Sequence, residues 1–334
     1  MRSMKPDPDL SVRRVRIPTE SGSIPALILS PKNGAKKATV ILWIHCGGYI
    51  AGMKEMVHMS RAVDLVKNYG AVVVSPGYRL AFRAPYPAAA DDCYAALRYL
   101  KENASALGVR NDQIMVGGES AGGGLCAAIC IRARDTGEVN VAFQMPLYPM
   151  LDDRDTESSR NNHGKIWNTR RNRFAWNLYL RRADRTNLSP YAAPARLRDF
   201  AHLPPAYTFV CKGEPFYAET VRYFERLNAA GIPAEIDIYP SSTHAFDMMQ
   251  PNDPVSLRAA EIFNRRFADA QARYFAPQKW QKPRLQFFLQ TELSRLGDQD
   301  SRWLRQWRPD FCYSLLSSAS AFASISSAAF APVS

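Results

Sequence analysis

The stretch Gln113–Cys130, QIMVGGESAGGGLCAAIC, constrains this chain more than any other. An apolar run, Ile114, Met115 and Val116, stops at two glycines; Ser120 stands between Gly118 and Gly122, and an Ala/Cys/Ile-rich helical pattern follows at once. That order is strand, tight turn, helix. Gly118-Glu119-Ser120-Ala121-Gly122 fits G-x-S-x-G, in which the flanking glycines remove the Cβ atoms that would clash when the serine takes a strained backbone angle. The strain would lift Ser120 Oγ out of the sheet edge, within reach of a substrate. Two other readings share these residues. A glycine-rich turn into a buried helix looks the same over five positions, and Gly122, Gly124 and Ala127 spell the G-x-G-x-x-A of a dinucleotide-binding turn. The second begins several residues after the strand has ended and lacks the acidic residue that should close a second strand about 20 residues later.

Around this stretch the pattern alternates. Val12–Ile17 and Ile24–Leu29, joined by a Ser-Gly-Ser turn, read as an antiparallel opening pair. The continuous apolar run Thr39–Ile44 reads as a strand buried on both faces and ends at His45-Cys46-Gly47-Gly48. A helix is expected over Met56–Lys67, then a strand over Ala71–Ser75 and a helix over Ala88–Leu100. Beyond the central stretch come strands at Val141–Leu147, Ala206–Cys211 and Ala234–Tyr239, with helices at Ala218–Ala230 and Ser256–Phe275. The expected fold class is therefore α/β, a mostly parallel sheet with helices on both faces. Residues 152–198 lose strand character, are Arg- and Trp-containing with their best helix at Asn172–Arg182, and would form a lid over the C-terminal edge of the strands. The implied layout is a loose arm at 1–10, one domain at 11–276 with an insertion at about 152–198, and a low-complexity tail at 277–334. Ser314–Ser334 carries no charged residue, yet its many hydroxyls make it a poor membrane span.

The formal charge of +12 is spread along the chain, with its densest group between Arg154 and Arg185. It does not interleave with aromatics as in a nucleic-acid binder, so no nucleic acid is expected; attraction of anionic substrates or an acidic membrane surface stays open. The six cysteines form no C-x-x-C pair and have no histidine at zinc spacing, which argues against a metal. With no apolar signal segment at the N-terminus, a cytoplasmic location is expected.

A serine hydroxyl is a weak nucleophile until a base takes its proton, so Ser120 calls for a histidine oriented by a carboxylate. In a strand-turn-helix serine site the order is serine, acid, histidine. Of five histidines, His45 and His58 precede Ser120, His163 and His202 lie in or beside the expected lid, and His244 alone follows a late strand in a loop. The acid should end the preceding strand: Glu214, after Cys211-Lys212-Gly213, is the first carboxylate there, with Glu219 as runner-up and Asp237 inside the next strand. Developing negative charge needs backbone donors, for which the N–H groups of Gly47, Gly48 and Ala121 are the candidates; a plain Gly-Gly turn is the bland alternative.

Together these residues carry a resemblance. His45-Cys46-Gly47-Gly48-Tyr49 resembles the HGGG motif and GESAGGG the GDSAGG turn of the hormone-sensitive-lipase-like branch of the α/β-hydrolases. Tyr78–Asp92, YRLAFRAPYPAAADD, resembles that family's YRLAPE-x-PYPAA-x-x-D block, and SPYAAPARL, GEPFYAET and STHAFD resemble its later blocks, in order over residues 12–275. The resemblance implies a carboxylic ester hydrolase of the lipase and carboxylesterase kind, with Ser120, Glu214 and His244 as triad, Gly47, Gly48 and Ala121 as oxyanion hole, short acyl chains, a small-molecule ester substrate and no cofactor. Amide or lactone hydrolysis by the same triad, and a non-catalytic binding role, remain alternatives; related hormone receptors lose the histidine that His244 retains. A homodimer is left open. Departures are Cys46 for a glycine, placing a side chain beside the oxyanion loop, Glu119 for an aspartate, and Glu214 for the commoner aspartate.

Overall fold

In the strand Ala38–Ile44 (β3), every residue after Ala38 is buried. Val40, Leu42 and Ile44 join one apolar cluster, while Ile41 and Trp43 join another. Successive side chains of a strand point to opposite faces, so a run apolar at every position forces cover on both. The computed structural model, which describes residues 3–278, builds around this strand an eight-stranded sheet. The other strands are β1 (Leu10–Thr19), β2 (Gly22–Pro31), β4 (Val72–Pro76), β5 (Val109–Glu119), β6 (Phe143–Leu147), β7 (Ala206–Cys211) and β8 (Ala234–Tyr239). Their spatial order is β1-β2-β4-β3-β5-β6-β7-β8. β1 with β2 and β2 with β4 are antiparallel, and all other pairs are parallel.

The helices are α1 (Ala62–Tyr69), α2 (Ala88–Glu102), α3 (Ala121–Thr136), α4 (Thr169–Tyr179), α5 (Tyr217–Ala229), the one-turn α6 (Phe246–Met249) and α7 (Pro254–Arg273). On one face, Cys93 and Leu97 of α2 and Leu125 and Ile129 of α3 pack on Val40, Leu42 and Val116. On the other, Leu65 of α1 and Phe263 and Phe267 of α7 pack on Ile41, Trp43 and Phe209. β3 has β4 on one side and β5 on the other, so the chain reverses its winding direction there. The loops leaving the C-terminal ends of β3 and β5 therefore abut, at the place where open α/β sheets hold their ligands.

Four details depart from the sequence expectation, the first being that the helix expected over Asn172–Arg182 runs three residues earlier, as α4. The helix expected over Met56–Lys67 is two pieces, a 3-10 turn at Lys54–Met59 and then α1. The Ser60 hydroxyl breaks it, donating to the Val57 carbonyl and accepting from the Ala62 N–H. β5 begins five residues before the apolar run, at Val109, because Val109 pairs with Ala38 at the N-terminal end of β3. β1 begins at Leu10, inside the expected arm, and Asp7 just before it pairs with Lys67. The last described residues are tied down: the Ala276 N–H donates to the Asp112 carbonyl and Asn140 Nδ2 to the Pro277 carbonyl. The tail expected over 277–334 lies outside the described residues from 279 onward. No helix among the described residues is long and apolar enough to cross a membrane.

Candidate active site

Ser120 connects β5 to α3 with φ 57° and ψ −119°, a conformation that few non-glycine residues adopt. It is held there by hydrogen bonds on both sides, from its own N–H to the Leu147 carbonyl and from the Met150 and Gly124 N–H groups to its carbonyl. The flanking glycines are required by close approach. A Cβ on Gly122 would collide with the Ile44 and His45 carbonyls, and one on Gly118 with the Ile44 and Gly122 carbonyls. Gly124, which gave the dinucleotide-like spacing, faces the Met150 carbonyl and the Tyr49 hydroxyl. Helix packing accounts for that glycine pattern without a phosphate.

His244, in the loop after β8, places Nε2 2.9 Å from Ser120 Oγ and Nδ1 3.1 Å from Glu214 Oε2. Its ring is clamped edge-on by Tyr148 at the end of β6 and by Phe216 before α5, with centroids 5.3 and 5.0 Å away. Glu214 is fully buried, and burial pushes its carboxyl above the ordinary range while the facing His244 pulls it back. The runner-up Glu219 lies on α5 and turns instead to the backbone after β6, accepting from the Leu151 and Asp152 N–H groups. Asp237 accepts from the Tyr207 hydroxyl within the sheet. His45 is spent on structure: its ring stacks on Tyr78 at 4.1 Å, Nδ1 lies 2.8 Å from the Cys46 carbonyl, and burial lowers its pKa to about 4.

The loop after β3 turns through Gly47 and Gly48, both at positive φ, and folds back through the Ile50 and Ala51 N–H groups onto the Gly47 carbonyl. Among the described residues the N–H groups of Gly47, Gly48 and Ala121 donate to no backbone carbonyl. Space over Gly48 is taken by the indole of Trp167, which a Cβ there would strike. Burial of the Cys46 thiol, and the charge of Glu119, push it well above its ordinary range, although the residue as a whole is half-buried. Under Ser120, Glu119 accepts from Trp43 Nε1 at 2.9 Å. Asp247 joins Arg61 Nε at 3.1 Å to the Tyr148 hydroxyl at 3.0 Å.

The six residues singled out from sequence thus fall into two groups. Ser120, His244 and Glu214 form one hydrogen-bonded row, and Gly47, Gly48 and Ala121 lie on the two abutting turns. Tyr148, Phe216, Trp167 and the Arg61–Asp247 pair went unnoticed in the sequence. Position at the C-terminal end of a strand was a usable signal for Tyr148, but nothing local pointed to a pair separated by 186 residues.

A family model described as the alpha/beta hydrolase fold matches residues 41–248. The chain belongs to that family. Within it the kinship is with the hormone-sensitive-lipase-like branch, and the chain is a serine carboxylesterase- or lipase-like hydrolase. It is 33% identical over 243 residues to esterase LipI of Mycobacterium tuberculosis, covering 72% of this chain and 76% of that one. The carboxylesterase NlhH of the same organism is 33% identical over 229 residues, with 67% and 71% covered. Among solved structures, a bacterial heroin esterase superposes with a TM-score of 0.76 at 33% identity, covering 79% of this chain and 85% of that one. An esterase of Pyrobaculum calidifontis gives 0.72 at 30% identity, with 80% and 87% covered.

Proposed function

We propose that this α/β-hydrolase cleaves carboxylic esters of short acyl chains through an acyl-serine on Ser120. The observation that carries the reading is the continuous row Glu214–His244–Ser120, with contacts of 3.1 and 2.9 Å. In this reading His244 Nε2 takes the Ser120 proton as Oγ attacks the ester carbonyl. Glu214 holds Nδ1–H, fixing the tautomer and stabilising the imidazolium that forms. The oxyanion is received by the N–H groups of Gly47, Gly48 and Ala121, each such donor being worth about a hundredfold in rate. Protonated His244 then gives its proton to the departing alcohol, and a water activated by the same nitrogen frees the acid. The Trp167 indole over Gly48 supports a pocket sized for short acyl groups.

The test is turnover of p-nitrophenyl esters from acetate to palmitate by the purified protein, with Ser120→Ala alongside. Short esters should turn over best, and the variant should lose the activity by a factor on the order of 10⁴ or more. Folded wild-type protein inert on every ester but active on anilides or lactones would move the reading to the amide or lactone alternative. Activity retained in Ser120→Ala would remove the serine mechanism.

A further inference from the structure

The inner side of α4 packs toward the site of the hydrolysis proposed above, and its outer side has no role in it. Asn172, Ala175, Trp176 and Tyr179 are buried, and Tyr179 stacks on Tyr49, next to the oxyanion-loop glycines, with centroids 4.1 Å apart. Arg170, Arg171, Arg173, Phe174 and Asn177 are exposed. At 3.6 residues per turn Phe174 falls at the centre of that outer face, with Arg170 one turn behind it, Arg171 beside it and Asn177 nearly one turn ahead. Phe174 is 52% exposed. A second bare ring, Phe82 at 59% exposure, comes from the loop between β4 and α2 and lies 6.3 Å from it. Ile166, just before α4, is 38% exposed. Arg181 locks this patch together by donating to the Ala81 and Phe82 carbonyls from the far end of α4.

Charge concentrates in the stretch that contains α4. Residues 160–185 hold eight Lys and Arg against one Asp, a net +7 of the chain's +12. Of the three α4 arginines, only Arg173 has a carboxylate partner among the described residues, Asp155. Bare aromatic rings inside a collar of cations suit an occupant that buries the rings and supplies negative charge over a broad, shallow area. A lipid–water interface does both: rings enter between headgroups while guanidinium groups reach back to the phosphates. Nucleic acid would answer the charge, but it calls for a basic groove following a backbone, whereas this surface is the convex flank of one helix with an apolar pair at its centre.

We propose that the outer face of α4, with Phe82, Phe174 and the surrounding arginines, docks reversibly on an anionic phospholipid surface. The oxyanion loop lies beneath the inner face of the same helix, so docking brings the site within about one helix diameter, ~10 Å, of a source of apolar esters. The proposal goes beyond the hydrolysis reading and does not depend on turnover.

The experiment is cosedimentation of the full chain with phosphatidylcholine vesicles, with and without phosphatidylserine, across a salt series. Binding should require phosphatidylserine and weaken as salt rises. A cation near such a surface contributes about fivefold in partitioning, so the double variant Arg170→Gln/Arg173→Gln, on the outer face itself, should lose about 25-fold. Phe82→Ser/Phe174→Ser should lose binding as well, and both variants should turn over soluble p-nitrophenyl acetate like the parent, which checks their folding. Three results would overturn the proposal: no preference for phosphatidylserine, variants that bind as the parent does, or arginine-dependent binding of a single-stranded oligonucleotide without vesicle binding. Ser120→Ala should dock normally, so failure of docking and failure of hydrolysis are separately visible.

Discussion

Ser120 keeps its strained φ because the groups beneath it leave little room to relax, and one of those groups is itself held in an unusual state. Glu119, fully buried next to the serine, has its carboxyl pushed up to about 8 by burial first and by the charge of Asp247, while the Trp43 N–H and Arg61 pull the other way. Between its ordinary 4.5 and about 8, the folded protein holds a proton that the unfolded chain has released. This contribution to stability therefore falls as pH rises through that window and is level above it. Glu119→Gln keeps an acceptor for Trp43 and removes the titration. Its melting temperature should rise relative to the parent between about pH 5 and about pH 8, by an amount worth at least ~1 kcal/mol at the upper end. A difference that stays constant with pH, or runs the other way, would show that Glu119 is ionised in the folded protein.

Among the elements, the segment carrying Trp167 and α4 is the one that the proposed function holds responsible for acyl-chain length. The Trp167 indole occupies the space over Gly48, lies 6.5 Å from the Phe216 ring and donates from Nε1 to Asn172. Replacing it by alanine opens room above the Gly47-Gly48 loop without touching the Ser120 row. Trp167→Ala should raise kcat/KM for octanoate relative to acetate esters by about tenfold, since one methylene in an apolar pocket is worth 10-fold or more. An unchanged chain-length profile would place the acyl pocket elsewhere. Elements were legible in the sequence where a local pattern was strong. Thr39–Ile44 read as a strand buried on both faces, which it is, and the glycines around Ser120 mark positions where the structure leaves no room for a Cβ. What stayed hidden depends on partners far along the chain. The break between the Lys54–Met59 turn and α1 sits where Arg61 reaches Asp247, and the β5 extension sits where Val109 meets Ala38. Ser120, His244 and Glu214, which the structure brings into one hydrogen-bonded row, could be grouped beforehand from chain order and strand ends. The clamp of Tyr148 and Phe216 on His244 could not, since aromatic residues at strand ends are common and only the packed sheet brings these two together.

For the whole molecule, the described fold closes on itself at its C-terminal end, where Asn140 Nδ2 holds the Pro277 carbonyl and the Ala276 N–H holds that of Asp112. The row Glu214–His244–Ser120 and the loops around it draw on residues 45–247. A chain ending at Lys279 should therefore keep the parent's melting temperature to within about 3 °C, a shift worth about 1 kcal/mol, and its kcat/KM on p-nitrophenyl acetate. A large loss of either would give residues beyond 279 a part in the catalytic unit. The central claim, that one serine in this molecule becomes covalently acylated, is tested most directly by the intact mass of the protein after treatment with diethyl p-nitrophenyl phosphate, followed by peptide mapping. One diethylphosphoryl group per chain, carried on Ser120 and absent from Ser120→Ala, with inactivation in step with labelling, is the predicted result. Full inactivation with the group on another residue, or ester turnover that persists in fully labelled protein, would contradict it.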